Sequence, residues 1–213
     1  MEKYNYRKDP HQDIDHVFRD LLPAHGMVER PAQVELSHQM LDTMLNGSIA
    51  LCDAGTGIGK TYAYLVAGVV FRRYRSRAGL PNQPLLISTS SIALQGAIIH
   101  DYLPFLSKVM MADGMLDSPL RAVLRKGKSH YVCDARLMKR LQTANLDRKN
   151  PLAKAALLSM RDHLDLDMAP HLSGYDRERI CVPPTCDCGK TECRYLCSVS
   201  YTHLRAHETP EHL

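Results

Sequence analysis

The stretch that decides the fold is Ala54-Gly55-Thr56-Gly57-Ile58-Gly59-Lys60-Thr61, which matches the phosphate-binding pattern Ala/Gly-x-x-x-x-Gly-Lys-Ser/Thr. Ahead of it, Ser48–Cys52 predicts a short buried strand, and the residues from Thr61 to about Arg75 predict a helix. In such a unit, glycines let backbone N–H groups converge on phosphate oxygens, and the helix N-terminus adds a partial positive charge. The stretch therefore predicts a nucleoside triphosphate site.

The loop residues have different expected roles in that site. Lys60 is expected to reach the β- and γ-phosphates, and the Thr61 hydroxyl is expected to ligate Mg²⁺. The rest of the loop, residues 54–59, would hold the phosphates through its backbone. The predicted cofactors are ATP and Mg²⁺, and we identify no further catalytic residue beyond Lys60 and Thr61.

The order of predicted elements indicates an α/β fold. Pro84–Thr89 predicts a second strand and Ser91–His100 a second helix, so strand and helix alternate, which favours a parallel sheet with flanking helices. After about Met115 strand signals disappear and helical, basic segments dominate. The predicted divisions are a helical lead-in at 1–26, a nucleotide domain at 27–115, an inserted, mostly helical subdomain at 116–197 and a tail at 198–213.

Composition narrows the classes of partner. The chain has 213 residues and a net charge of +4, which permits nucleic-acid binding without requiring it. Residues 121–154 contain ten Lys or Arg and two acids, a pattern typical of either a solvated helical face or a phosphate-contacting surface. The sequence shows no signal peptide and no apolar run of about 18 residues, so we expect a cytoplasmic protein without membrane contact.

Seven cysteines are unusual for a chain expected in a reducing compartment. We expect Cys52 to be a small core residue of the first strand. The other six are Cys133 and the crowded set Cys181, Cys186, Cys188, Cys193 and Cys197. Zinc and iron–sulfur clusters both accept four thiolates, and the spacing does not choose between them. The cysteines therefore predict a metal centre of one of these two kinds.

Four segments together resemble one family. Arg30-x-x-Gln33, the stretch Asp53–Leu65, the stretch Ile87–Gln95 and Lys126-Gly127-Lys128-Ser129-His130-Tyr131-Val132-Cys133 look like segments of DinG/XPD-type superfamily 2 iron–sulfur DNA helicases. The resemblance covers roughly residues 27 to 197. It implies a RecA-like P-loop NTPase domain that carries an inserted [4Fe–4S] cluster domain. The implied activity is ATP-dependent 5′→3′ unwinding of single-stranded or forked DNA.

The resemblance also implies roles for individual residues. Gln33 would contact the adenine. The residues implied to face single-stranded DNA are Ser88, Thr89, Ser90 and Gln95, and those implied to contact DNA phosphates are Arg125, Lys126 and Lys128. The implied cluster ligands are Cys133 first, Cys181 and Cys188 in the middle with Cys186 as the alternative, and Cys193 last.

Two features qualify this expectation. No acidic Walker B motif follows the phosphate-binding loop, so we expect the chain to be an N-terminal fragment that is inactive alone and prone to aggregate. Residues 198–213 resemble a translated sequencing-library adapter and are set aside as a non-native tail. The alternative function is a zinc-stabilised nucleic-acid-binding module that carries a P-loop but has no helicase activity.

Overall fold

A computed structural model describes residues 9–81, 83–143, 151–186 and 193–200. The chain divides into two compact units, Met1–Ala122 and Val123–Leu213, whereas the boundary predicted from sequence lies between residues 115 and 116. Cys188 and the tail beyond residue 200 lie outside the described residues, as does the start of the helical lead-in.

The first unit is built from helices. They are α1 (Pro10–His16), α2 (Leu22–Ala24), α3 (Pro31–Leu45), α4 (Lys60–Arg77), α5 (Ile92–Ala97) and α6 (Leu103–Ala112). A π-helical turn at Val17–Leu21 joins α1 to α2, and another at Ile98–Tyr102 joins α5 to α6. The Asp9 carboxylate caps α1 by accepting from the His11 N–H, and Ser91 Oγ caps α5 through the Leu94 N–H. The helices expected after the phosphate-binding loop and after Ser91 are confirmed.

The core of the first unit forms where α3 packs on α4 and α1 packs on both. The residues that share this core are apolar and buried: Ile14, Phe18, Leu22, Val34, Leu41, Leu65, Val66, Val70, Leu106 and Met110. Asp13 lies beside this core at 2% exposure and pairs with Arg77 of α4. Burial raises the pKa of Asp13, and the charges of Arg77 and Arg73 oppose that rise.

The predicted buried strands are corrected by the structure. Ile49 and Leu51 are 94% and 98% exposed, Leu86 is 90% exposed, and Cys52 is exposed instead of part of a core. A strand is stabilised by pairing its backbone groups with a neighbour, and no described segment forms such a ladder with Ser48–Cys52 or Pro84–Thr89. The α/β class and the parallel sheet therefore remain predictions.

The second unit is mostly helical, as expected for the cysteine-bearing subdomain. Its helices are α7 (Asp134–Thr143), α8 (Pro151–Ser159) and α9 (Gly174–Ile180), with 3₁₀ turns at Lys128–His130 and Leu166–Met168 and a π-helical turn at Leu196–Ser200. Two isolated antiparallel bridges, Tyr131 with Asp165 and Val132 with Cys181, hold the segment before α7. Its core contains Val132, Leu137, Leu157, Met160, Leu166 and Ile180.

No helix among the described residues is both long enough and apolar enough to cross a membrane.

Candidate phosphate-binding site

Two glycines of the loop before α4 have a left-handed backbone conformation. Gly57 and Gly59 have φ values of 83° and 88°, in the left-handed region that favours glycine. Gly59 is the N-cap residue of α4, so Lys60 and Thr61 open the helix. The first N–H groups of a helix lack intrahelical acceptors, and here they stand beside the loop, where an anion would be stabilised.

Lys60 folds over its own loop. Its Nζ donates hydrogen bonds of 2.8 Å each to the carbonyl oxygens of Ala54 and Gly55. The ammonium is exposed, so these bonds compete with water and are individually modest in net free energy. An anion entering the loop would exchange one or both bonds for a charge-assisted contact, which is the stronger kind.

Helix α3 positions the loop from one side. Arg30 Nη1 donates to the Gly57 carbonyl at 2.6 Å, and Gln33 Nε2 donates to the Gly59 carbonyl at 2.6 Å. One turn further along α3, the buried Ser37 hydroxyl donates to the Ala63 carbonyl at 3.0 Å. Arg30 and Gln33 form the Arg30-x-x-Gln33 pattern that resembles the helicase family. The sequence did not indicate that Ser37 also holds this part of the chain.

Aromatic packing holds the first turn of α4 from the other side. The ring of Tyr62 meets Tyr102 edge to face at a centroid distance of 5.1 Å and meets Phe105 at 6.3 Å. Burial raises the pKa of Tyr62, so its hydroxyl stays neutral at physiological pH. The loop and the start of α4 are thereby attached both to α3 and to the segment that ends in α6.

The residues implied to face single-stranded DNA lie in the segment before α5. Ser88 and Ser90 are exposed, and Thr89 Oγ1 accepts from the Ser91 N–H at 3.1 Å. Gln95 Nε2 donates to the Thr89 carbonyl at 3.0 Å, which ties this segment to α5. The Gln95 Oε1 atom is buried without a hydrogen-bond partner among the described residues. DNA contact by these residues stays a prediction.

The second unit brings two of the implied cluster ligands onto adjacent backbone segments. The Cys133 N–H donates to the Ile180 carbonyl at 2.7 Å, directly before Cys181, and Cys133 is buried. Cys193 packs against the small cluster of Tyr131, Cys133, Val182 and Tyr195. The thiolate donor set suits zinc or an iron–sulfur cluster. Within the described ranges, however, no three His, Cys, Asp or Glu side chains are grouped closely enough to hold a metal ion.

Lys126 is engaged in ion pairs. Its Nζ lies 2.6 Å from Asp165 Oδ2 and 2.8 Å from Asp167 Oδ2, and its side chain is only 8% exposed. Burial lowers the pKa of Lys126, but the hydrogen bonds and charges of the two carboxylates outweigh burial and raise it overall. A DNA phosphate at Lys126 would therefore compete with two carboxylates.

The same network fixes Asp167. Arg177 Nη1 donates to Asp167 Oδ1 at 2.7 Å, and His130 Nδ1 lies 3.2 Å from Asp167 Oδ2. Burial raises the pKa of Asp167, but the hydrogen bonds from Lys126 and Arg177 dominate and lower it to about 2. Sequence reasoning did not find this network, because its acids lie about 40 residues from Lys126 in the chain. The other two predicted phosphate contacts, Arg125 and Lys128, are exposed.

The left-handed glycines and the position of Lys60 at the start of α4 fit the sequence pattern of a phosphate-binding loop, and comparison with curated proteins identifies similar chains. The chain is 30% identical over 139 residues to the 3′-5′ exonuclease DinG of Bacillus subtilis (strain 168), a match that covers 65% of this chain and 13% of that protein. It is 30% identical over 129 residues to the ATP-dependent DNA helicase YoaA of Haemophilus influenzae. This match covers 61% of this chain and 18% of that protein.

A third similar protein is the ATP-dependent DNA helicase DinG of Photobacterium profundum, 35% identical over 85 residues, or 40% of this chain and 10% of that protein. The chain thus spans between 10% and 18% of the length of these three relatives. No protein-family model matches the chain, and no solved structure matches it. The similarities support a relationship with proteins named DinG and YoaA.

Proposed function

We propose that the chain binds ATP and Mg²⁺ at residues 54–61 as part of a DinG-type ATP-dependent DNA helicase. The observation that carries this proposal is the loop itself, in which Gly57 and Gly59 are left-handed and Lys60 Nζ lies over the carbonyls at the start of the loop. The similarity to proteins named as helicases supports the choice among P-loop proteins.

In this proposal each residue has a distinct part. Lys60 leaves the carbonyls of its own loop and meets the β- and γ-phosphates, while the backbone N–H groups before α4 receive the remaining phosphate oxygens. Thr61 supplies its hydroxyl to Mg²⁺. Gln33 contacts the adenine, which requires its amide to leave or share the Gly59 carbonyl.

The experiment that tests this proposal is titration of the full chain with a fluorescent ATP analogue in the presence of Mg²⁺. Lys60→Ala is expected to lower the affinity at least tenfold, because it removes the positive charge that faces the phosphates. Lys108→Ala is the matched control, since Lys108 is an exposed lysine of the same unit on α6. Unchanged binding by the Lys60→Ala variant overturns the proposal.

We further propose that the macromolecular partner is single-stranded or forked DNA. The support is that two of the relatives are named as DNA helicases, together with the exposed position of Ser88, Ser90, Arg125 and Lys128. Contacts to phosphate would be independent of sequence and would weaken with added salt.

A metal centre in the second unit is the last part of the proposal. Cys133, Cys181 and Cys193 would be ligands, with Cys188 or Cys186 as the fourth, and the group bound would be a [4Fe–4S] cluster. The support is the resemblance of Lys126–Cys133 to the family segment and the adjacency of the Cys133 and Cys181 backbones. Bound zinc without labile sulfide would favour the zinc-stabilised nucleic-acid-binding module instead.

A further inference from the structure

Tyr175 on α9 is a large aromatic side chain that is 57% exposed. The guanidinium carbon of Arg179 lies over its ring at 4.3 Å from the centroid, and that of Arg140 lies at 5.3 Å. Such cation–π contacts are individually weak at an exposed site, and they favour the arrangement in which the Arg179 guanidinium lies over the Tyr175 ring.

The surroundings of Tyr175 are cationic. Helix α7 packs against α9 and contributes Arg136, Lys139 and Arg140. Arg140 is paired with Asp176, and the half-buried Arg136 donates to the Cys181 carbonyl and faces the Cys181 sulfur, so neither is a free cation of this surface. Within the described part of the chain, Arg179 and the exposed Lys139 make no ion pair with a carboxylate. Helix α9 carries two acids, Asp176, which is paired with Arg140, and the exposed Glu178.

The segment Arg125–Lys128, which the sequence predicted to contact phosphate, contains a cation that is already paired with carboxylates. Lys126 there is 8% exposed and engages two carboxylates, as described above. A polyanion gains more from cations that are exposed and unpaired, because their charge is not already compensated. The charge balance therefore favours Arg179 and Lys139 of the α7–α9 surface over Lys126 as anion contacts, while the exposed Arg125 and Lys128 remain available beside Lys126.

We propose that the α7–α9 surface binds single-stranded DNA, with one base stacking on the Tyr175–Arg179 pair and phosphates meeting Arg179 and Lys139. Aromatic rings and guanidinium planes are both surfaces on which unpaired bases stack. Bases within a duplex are already stacked and offer no face to such a pair. This inference rests on the DNA binding proposed above. It assigns that binding to residues outside Ser88–Gln95 and Arg125–Lys128, the segments from which DNA binding was first predicted.

The test measures binding of fluorescently labelled oligothymidine to the full chain by anisotropy across a series of salt concentrations. Tyr175→Leu is expected to lower the affinity about tenfold with little change in the salt slope, whereas Tyr175→Phe retains wild-type binding. Arg179→Ala is expected to lower the affinity and to reduce the magnitude of the salt slope by roughly 0.7. Arg161→Ala, which removes an exposed arginine elsewhere in the same unit, is the matched control.

A strand of abasic sites separates stacking from charge, because it keeps the phosphates and lacks the bases. Binding of that strand is expected to be insensitive to Tyr175→Leu and sensitive to Arg179→Ala. If the wild-type chain binds oligothymidine and both variants bind it equally well, the assignment of this surface is wrong while the proposed DNA binding stands. If the wild-type chain binds no oligothymidine, the assignment of this surface and the proposed DNA binding both fail. The ATP titration still tests the nucleotide site separately. Circular dichroism of each variant establishes that it is folded.

Discussion

Gln33 Nε2 donates a hydrogen bond to the Gly59 carbonyl at 2.6 Å from a side chain that is 3% exposed. The same amide occupies the space that a Cβ at Gly59 would need, so that an added methyl group would collide with Gln33 Nε2 and Cδ. Gly59 is therefore favoured for two reasons, its left-handed φ and the closeness of the Gln33 amide, which would have to shift to admit a Cβ.

Substituting Gly57 and Gly59 in turn separates the effect of the left-handed φ from the effect of the Gln33 contact. Both have left-handed φ values, but a Cβ at Gly57 meets nothing within 4 Å. Gly57→Ala is expected to cost about 1–2 kcal/mol of stability through φ alone, and Gly59→Ala is expected to cost more. Urea unfolding and titration with an ATP analogue measure both effects. Gln33→Ala in the Gly59→Ala background should recover part of the loss; no recovery would refute the collision as its cause.

A second prediction concerns the pairing of Asp13 with Arg77. Arg77→Ala leaves a carboxylate at 2% exposure with one of its two cations and is expected to destabilise the chain by about 2 kcal/mol. Arg75→Ala is the control from the same helix, since Arg75 donates to the exposed Pro81 carbonyl, lies over the Phe71 ring and makes no ion pair with a described carboxylate, and its cost is expected to be under about 1 kcal/mol. Equal midpoints of urea unfolding for the two variants would contradict the importance of this pair.

The depressed pKa of Asp167 predicts an acid-dependent loss of stability. An acid whose folded pKa is about 2, against an ordinary value of 3.8, stabilises the fold above about pH 4, and this contribution is lost as the pH falls towards 2. The difference in free energy of unfolding between wild type and Asp167→Asn is therefore expected to be on the order of 2 kcal/mol at pH 6 and to shrink below pH 4.

Lys126→Met provides the companion measurement. It removes one of the two cations that lower the Asp167 pKa, so the acid-dependent loss of stability should be smaller than in wild type. A Lys126→Met profile that retains the full acid-dependent loss would show that Arg177 alone sets the pKa of Asp167.

For the metal centre, Cys133→Ser is expected to lower the bound iron and labile sulfide of anaerobically purified protein to a small fraction of the wild-type content. Cys52→Ser is the control, because Cys52 is exposed and lies in the first unit. Equal metal content in both variants would remove Cys133 from the ligand set. Zinc without sulfide in the wild type would rule out the cluster.

The exposed apolar residues of the first unit predict self-association. Leu51 and Leu86 are 98% and 90% exposed in segments without a paired neighbour among the described residues, and such segments tend to pair with another chain. The double variant Leu51→Ser/Leu86→Ser is expected to reduce light scattering without lowering the thermal midpoint. Val123→Ser, at a residue 62% exposed in the second unit, should leave the scattering as it was.

The helices after the Gly-Lys-Thr segment and after Ser91 were predictable from sequence because their signals are local. The Gly-Lys-Thr end of the loop, the apolar periodicity after Thr61 and the cap at Ser91 each act within a few residues. The exposure of Ser48–Cys52, for which we predicted a buried strand, was not predictable from the same few residues. An apolar run indicates what a segment would bury if a partner were present, and burial itself depends on residues far along the chain.

The site could be predicted only in part for the same reason. Lys60 and Gln33 belong to recognisable patterns, whereas the pairing of Lys126 with Asp165 and Asp167 joins residues about 40 positions apart. A lysine within a basic run has the same sequence signal whether it faces solvent or two carboxylates. Tyr175 likewise has no motif around it, and its contacts with Arg140 and Arg179 depend on the packing of α7 against α9.

The two hydrogen bonds from Lys60 Nζ to the carbonyls of Ala54 and Gly55 have a kinetic and a thermodynamic consequence. If the chain binds ATP as proposed, the fraction of molecules in which the ammonium is held by its own loop lowers the apparent affinity in proportion. Nucleotide association would then include a slower first-order rearrangement after encounter. Any partner that draws the carbonyls of Ala54 and Gly55 away from Lys60 would enrich the conformation in which the ammonium is released and act as a positive effector of nucleotide binding.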